Sequence, residues 1–516
     1  MQLTLYTPKL EQALQQAPET RPAVTEEWLK QLPLTNPENA AQKLVAELGR
    51  LNRTELDGDL RAKLTALYEP IVQKLIEALA VTLPENGTPQ SPVHRQAANL
   101  AYEMAIELAY AWKLVYEWAE QRRSLFGGAK AKQNALTHLL STLSGQICTS
   151  YRTYTSPPVY SWQELHQVHE TIRRESAPAE KTSPPPSEAA YKRALLLTLA
   201  DPYRFTRPEI EVTLSYLDKF SHLVRFTKGR QNKNSVFLIS LEADTPFRQD
   251  EDPTAGETLA LDTHDLCKHL RSLIVKLRSG EPFRDIGLDD ASQRINGLHL
   301  LSRLHQAWRG TAKRGFNRYE PEVTHVEVIS GVPAIHRLFD TKQKPAAEAT
   351  NPAAAKNTVS GLADQGLPAR WRVVNDSASG MAISAHAQEV AQVRMGNPIA
   401  LREEDAEGTA WMLAVVRWGK MSKGQVVVAG VEKLSPNASS VVLRFLQGNT
   451  ANIGQPALLI PANPALQTDE RLLLPNGLYQ RSRIADMWYQ GERRRIGLGS
   501  LVEQTAFFDL VEVEPA

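Results

Sequence analysis

Apolar positions recur three and four residues apart through the first third of the chain. This spacing predicts one helix over residues 36–83 and another over 92–120, where Leu100, Met104, Leu108, Trp112, Val115 and Trp118 share a stripe. The run Pro84-Glu85-Asn86-Gly87-Thr88-Pro89 breaks the pattern between them. Further helices are expected over 130–149, after Gly127-Gly128, and over 161–174, where Ser161 can cap and Glu164 stands at capping-box distance. Trp112, Tyr116 and Trp118 fall at helical spacing, which suits a core better than a ligand box. No fixed period recurs, so a helical domain over 1–175 is expected rather than a solenoid.

Residues 176–188 carry Pro184-Pro185-Pro186 among Ser, Ala, Lys and Glu, and read as an extended linker. A mixed α/β domain over 189–297 is expected next. It has a helix at 191–199, a capping signal Thr206-Arg207-Pro208-Glu209, a buried strand at 235–241 and an amphipathic helix at 262–278. One more helix, 289–308, precedes a change of period. Val323, His325, Glu327 and Ile329 alternate with Thr324, Val326 and Val328. Similar short runs at 370–374, 381–384, 398–402, 411–418 and 425–431 complete six strands, a number that suits a small closed barrel within 298–440. Residues 342–367, rich in Ala, Pro, Lys and Asn, read as a disordered insert in a strand-to-strand connection. Residues 441–516 read as a second, β-rich unit, with Arg493-Arg494-Arg495 as a charged turn.

Composition narrows the function. The 516 residues suggest three or four domains, and 59 Lys+Arg against 58 Asp+Glu leave a net +1. This balance argues against a chain-wide polyanion binder and disfavours specific DNA or RNA binding. Two cysteines, Cys148 and Cys267, build neither a disulfide framework nor an all-cysteine zinc site, which suits a reducing compartment. No signal peptide is evident at the start, and no apolar run approaches a transmembrane span, so a cytoplasmic protein is expected. His166-x-x-His169 lacks an adjacent Glu and reads as a helix-surface pair. His264 and His269 flank Cys267 without ligand spacing. No Walker loop, Gly-x-Ser-x-Gly or dinucleotide fingerprint occurs, so no enzyme is expected.

Two short motifs remain. Arg314-Gly315-Phe316-Asn317-Arg318 is the chain's Arg-x-x-x-Arg, and Asn375-Asp376-Ser377-Ala378-Ser379-Gly380 is its Asn/Asp-x-Ser-x-x-Gly. Alone, the first is a pair of solvated arginines and the second a polar turn. Their order decides otherwise, because the arginines precede the first predicted strand and the hexapeptide follows the second. Here the sequence resembles the PilZ domain, the bacterial receptor module for cyclic di-GMP. The resemblance covers about 313–435 and includes Leu413-Ala414-Val415-Val416-Arg417-Trp418, Gly424 and Val428-Ala429-Gly430-Val431-Glu432 as closing strands. The motifs lie farther apart than in most members, and the insert accounts for the excess.

A multidomain α+β protein is expected: a helical N-terminal region, a mixed α/β middle domain, a six-stranded PilZ-like β-barrel and a β-rich C-terminal unit, of which only the barrel rests on the resemblance. It assigns Arg314 and Arg318 to the phosphates and guanine edges of cyclic di-GMP, where a guanidinium can bond bidentately or stack. Asn375 and Ser377 would hydrogen-bond the ligand, and Gly380 would permit the turn that presents them. Lys313 and Arg372 are nearby cations with a weaker case, Arg372 being equally an outward strand residue. Trp418 is expected in the barrel core. The implied partner is a protein of pilus, flagellar or polysaccharide machinery. A degenerate barrel that binds no nucleotide and serves as an interaction scaffold is the alternative.

Overall fold

The computed structural model describes residues 3–11, 16–122, 128–175, 186–228, 235–248, 258–288, 290–310, 323–341, 368–388, 393–404, 410–422, 425–447, 453–464 and 468–516. They belong to two compact units, one of residues 1–85 and 91–313, the other of 86–90 and 314–516.

The first unit begins with α1 (Pro22–Lys30), α2 (Pro37–Arg53), α3 (Gly58–Thr82), α4 (Pro92–Gln121), α5 (Gly128–Arg152) and α6 (Ser161–Glu175). Helix α4 packs on α2, α3 and α5, burying Leu44, Tyr68, Met104, Trp112 and Leu139. The single helix expected over 36–83 is two. Thr54 is extended, and Asp57 accepts hydrogen bonds from the Asp59 and Leu60 amides to start α3 afresh. Periodicity ran through this break because both helices turn an apolar face to α4.

The capping box expected at α6 is absent. Glu164 instead pairs with Lys113 at 2.7 Å and accepts the Tyr6 amide at 2.8 Å. The helix start is capped from a distant loop, where Asp244 accepts the amides of Tyr160 (2.6 Å) and Trp162 (3.1 Å). The His166 and His169 pair is buried, not on the surface. His166 bonds the Tyr191 hydroxyl at 2.7 Å and the Thr245 carbonyl at 2.9 Å, while the His169 ring lies against Tyr191 and Phe226.

Helix α7 (Pro186–Leu199) starts inside the segment read as a linker, of which 176–185 lie outside the described residues. Thr206 and Glu209 form the expected capping box of α8 (Arg207–Phe220). Strands β1 (Arg225–Lys228), β2 (Val236–Ser240) and β3 (Thr258–Asp262) make an antiparallel sheet in the order β1-β3-β2. Helices α9 (His264–Arg278), α10 (Asp290–Arg294) and α11 (Gly297–Trp308) complete the unit. Trp308 is buried, and its indole N–H donates to the Leu196 carbonyl of α7 at 2.8 Å.

In the second unit, β4 (His325–Ser330), β5 (Ala369–Asp376), β6 (Gly380–His386), β7 (Pro398–Glu403), β8 (Met412–Ser422) and β9 (Val426–Ser435) close into a barrel in the order β4-β5-β6-β9-β8-β7. Every neighbouring pair is antiparallel. Val326, Trp371, Val373, Ile383, Ile399 and Val416 point inward. Trp418 is not in this core. It is half-buried beside Gly430, where an added Cβ would lie 1.8 Å from the indole nitrogen.

A second closed barrel, β10-β11-β12-β15-β14-β13, is built from β10 (Ser439–Phe445), β11 (Gly454–Ile460), β12 (Arg471–Pro475), β13 (Ile484–Tyr489), β14 (Glu492–Gln504) and β15 (Phe508–Pro515). Arg493, Arg494 and Arg495 lie on β14, not in a turn. Arg493 and Arg495 share Asp486 on the neighbouring strand, while Arg494 pairs with Glu470. Helix α12 (Val332–Thr341), which the sequence reading left unassigned, buries Val332, Ile335 and Phe339 in one layer with Ile329 and Leu413 of the first barrel and Leu458 and Leu473 of the second. The insert read over 342–367 lies outside the described residues.

Candidate ligand-binding site

The hexapeptide forms the connection between β5 and β6. A bulge between Val373 and Asn375 shifts the register before the turn, which re-aims the last side chains of β5. Asn375 and Asp376 are half-buried at the strand end. The Ser377 hydroxyl donates to the Gly380 carbonyl at 2.7 Å and its amide to the same oxygen at 2.8 Å, so this serine closes the turn itself.

Gly380 is needed for a different reason from the one expected. Its φ is not positive, so the turn does not demand glycine. A Cβ there would meet the Val431 carbonyl oxygen of β9 at 2.5 Å, and that oxygen is main chain and cannot rotate away. Close strand approach, rather than turn geometry, selects the residue.

Lys433 on β9 holds the turn. Its ammonium donates to the Asp376 carboxylate at 2.7 Å and the Ser377 carbonyl at 3.1 Å, while its amide donates to the Ser379 carbonyl at 3.0 Å. Sequence reasoning quoted Asp376 within the hexapeptide but gave it no role and did not name Lys433, because the partners are 57 residues apart and no local spacing links them. The neighbouring Glu432 stands opposite Gly380 and binds Arg417 of β8. Arg417 also binds Glu503 on β14 of the second barrel. Burial works against the guanidinium charge, but Glu503 and Glu432 outweigh it and hold the Arg417 pKa above its usual value.

Arg372 is exposed on β5, opposite His325 on one side and Ser384 on the other. It makes no hydrogen bond or ion pair to another described residue. Its place is that of an outward strand cation near the hairpin. The site therefore brings together Asn375, Ser377 and Gly380, with Arg372 along the same strand. Lys313, Arg314 and Arg318 lie outside the described residues. The described barrel wall thus offers amide, hydroxyl and main-chain groups, one exposed guanidinium, and a carboxylate already neutralised by an ammonium.

Three family models match the chain. "Cyclic-di-GMP receptor FimW, N-terminal domain" matches residues 23–231. "Cyclic-di-GMP receptor FimW, middle PilZ domain" matches 337–440, and "FimW C-terminal beta-barrel domain" matches 441–516. The hexapeptide falls inside the middle match, whereas Arg314 and Arg318 precede it. A curated relative, the cyclic-di-GMP receptor FimW of Pseudomonas aeruginosa, is 22% identical over 95% of this chain and 90% of its own length. No solved structure matches the chain. The closed six-stranded barrel carries the hexapeptide on its β5–β6 hairpin, and the middle-domain match takes in five of its six strands, β5 to β9, so the chain contains a PilZ domain within a multidomain protein.

Proposed function

We propose that this protein is a non-catalytic cyclic di-GMP receptor of the cytoplasm. In this reading the β5–β6 hairpin presents Asn375 and Ser377 to the dinucleotide. Arg314 and Arg318, with Lys313 and Arg372 as auxiliary cations, supply charge-assisted bonds to phosphate and guanine. The observation that carries the reading is the hairpin itself: the hexapeptide sits at a strand end of a closed barrel, held in shape by Lys433. Ligand binding would then alter the contacts of the other domains with a protein partner in pilus, flagellar or polysaccharide machinery. The proposed division of labour places recognition in the first barrel and output in the helical region and the second barrel.

Calorimetric titration of the full chain with cyclic di-GMP tests the reading. Binding is expected, and Arg314→Ala or Arg318→Ala should each cost about 1.5–3 kcal/mol of it, the loss typical of a bond to a charged group. A folded chain that takes up no cyclic di-GMP would be the interaction scaffold instead.

A further inference from the structure

The helical unit contains a cavity of about 470 Å³ that the proposed signalling site does not use. It lies within the first unit, bordered by α3, α4, α5, α7 and α8. That volume is within the usual range of small-molecule sites. Its wall on α5 is unusual for a helix interior. Ser141, Thr142, Gly145, Gln146 and Thr149 fall on one helical face and are small or polar, where a packed bundle would place Leu or Ile. At Gly145 a Cβ would meet nothing within 4 Å, so the space is not a by-product of tight backbone packing.

Two polar groups turn the void into a candidate site. Gln146 is 3% exposed and Thr142 is 7% exposed, yet the Gln146 Oε1 and the Thr142 Oγ1 have no hydrogen-bond partner among the described residues. Buried polar atoms are nearly always partnered, and here two stand one turn apart on the same cavity wall. They ask for a molecule with a donor for the amide oxygen and a partner for the hydroxyl. The charged groups bordering the cavity set its polarity. Arg152 is held by Glu211 through two bonds of 2.9 and 2.7 Å, and Arg193 by Asp218 at 3.1 Å. Each guanidinium faces a carboxylate, the Arg193 Nε–H having no partner among the described residues, and Glu77 adds an exposed carboxylate at the rim, so the lining has no surplus positive charge for a phosphate. Among the described residues no aromatic side chain lines it, so none offers a ring for stacking a base.

We infer that this cavity is a second ligand site, for a net-neutral, hydrogen-bonding small molecule of amino-acid size. It is independent of the barrel reading, since every lining residue lies in the first unit.

Thermal denaturation of the full chain with each of the common amino acids tests it. The neutral ones are the expected class, while aspartate, glutamate, inorganic phosphate and cyclic di-GMP serve as anionic controls. At least one neutral probe should raise the unfolding midpoint and slow alkylation of Cys148, which borders the cavity. Gly145→Leu fills the open space and should abolish both effects while leaving the unliganded midpoint unchanged or higher. Gln146→Met keeps the volume, removes the amide and should weaken the same probe at least tenfold; it carries the comparison if Gly145→Leu does not fold. The inference is overturned if no neutral probe separates the parent from these variants. It is equally overturned if phosphate or the acidic amino acids act on the parent as strongly and lose their effect in the same variants.

Discussion

Lys433 gives the proposed dinucleotide site its most testable residue. Asp376 places a carboxylate on the hairpin that is proposed to meet a dianion, and the Lys433 ammonium 2.7 Å away offsets its charge. Lys433→Met should therefore weaken cyclic di-GMP at least about tenfold, roughly 1.4 kcal/mol, by leaving that carboxylate bare beside phosphate. Adding Asp376→Asn should restore most of the loss in the same calorimetric titration. A double variant as weak as the single one would show that Lys433 acts by bracing the turn, not by neutralising it. The buried histidines make a separate prediction. Burial is the main cause that holds His166 down to about 4 and His169 to about 3, from an ordinary value near 6.5. Both stay neutral when folded and protonate when unfolded. Their stabilisation is complete above pH 6.5 and declines as pH falls below it, at about 1.4 kcal/mol per unit per group, until the folded value is reached. His169 has a buried Nδ1 with no partner among the described residues, and its ring lies against those of Tyr191 and Phe226. His169→Phe should flatten the stability profile between pH 4 and 6.5, read by urea unfolding, and an unchanged slope would exclude His169 as its source.

Among the elements, α6 shows most plainly how a correct helix can have the wrong explanation. Its range was legible from apolar spacing, because Leu165, Val168 and Ile172 are all buried on one side. Its cap was not, because Asp244 lies 82 residues beyond the amide of Trp162 that it accepts. Asp244→Ala should cost about 1 kcal/mol, the usual loss for an N-cap carboxylate, and Ser161→Ala should cost less, since the Ser161 hydroxyl has no partner among the described residues. Thermal melts of the two variants check this ranking, and a larger loss at Ser161 would reverse the assignment. Helix α8 gives the contrast. Thr206 and Glu209 are three residues apart, so their capping box could be read directly from the chain and is present. The strands of the first barrel were legible for a similar local reason, alternation with period two. Helix α12 was not, because ten residues with Val332, Ile335 and Phe339 make too short a stripe until two barrels are there to cover it.

For the second unit, the layer around α12 means that the two barrels stand or fall together. Ile329, Ile335 and Leu413 are covered by Leu458, Leu473 and Phe508 of the second barrel. Each such side chain contributes roughly 1.5–3 kcal/mol by burial, so a handful is comparable with the whole margin of about 5–15 kcal/mol of an ordinary domain. Leu473→Ala should cost about 2–5 kcal/mol and should speed global hydrogen exchange at the Trp371 and Val373 amides in the other barrel. Faster exchange confined to β11, β12 and β15 would show that the barrels unfold separately. The Arg417 bridge between Glu432, next to the hairpin strand, and Glu503 gives the same pair of barrels a polar link.

Helix and strand periods, the Thr206 capping box and the order of the two motifs depend on neighbours within a few residues, and the chain states those directly. The PilZ barrel was therefore legible in the sequence, and so were Asn375, Ser377 and Gly380 as its hairpin. The reason for Gly380 was not, since it depends on a carbonyl of Val431, 51 residues on, across a strand pair. The same holds for the Lys433 brace, the Asp244 cap, the buried state of His166 and His169, the outward place of Trp418 and the shared layer of the two barrels. In each case partners distant in sequence meet only after the chain has packed, and burial or close approach, which local spacing does not encode, assigns the residue its role.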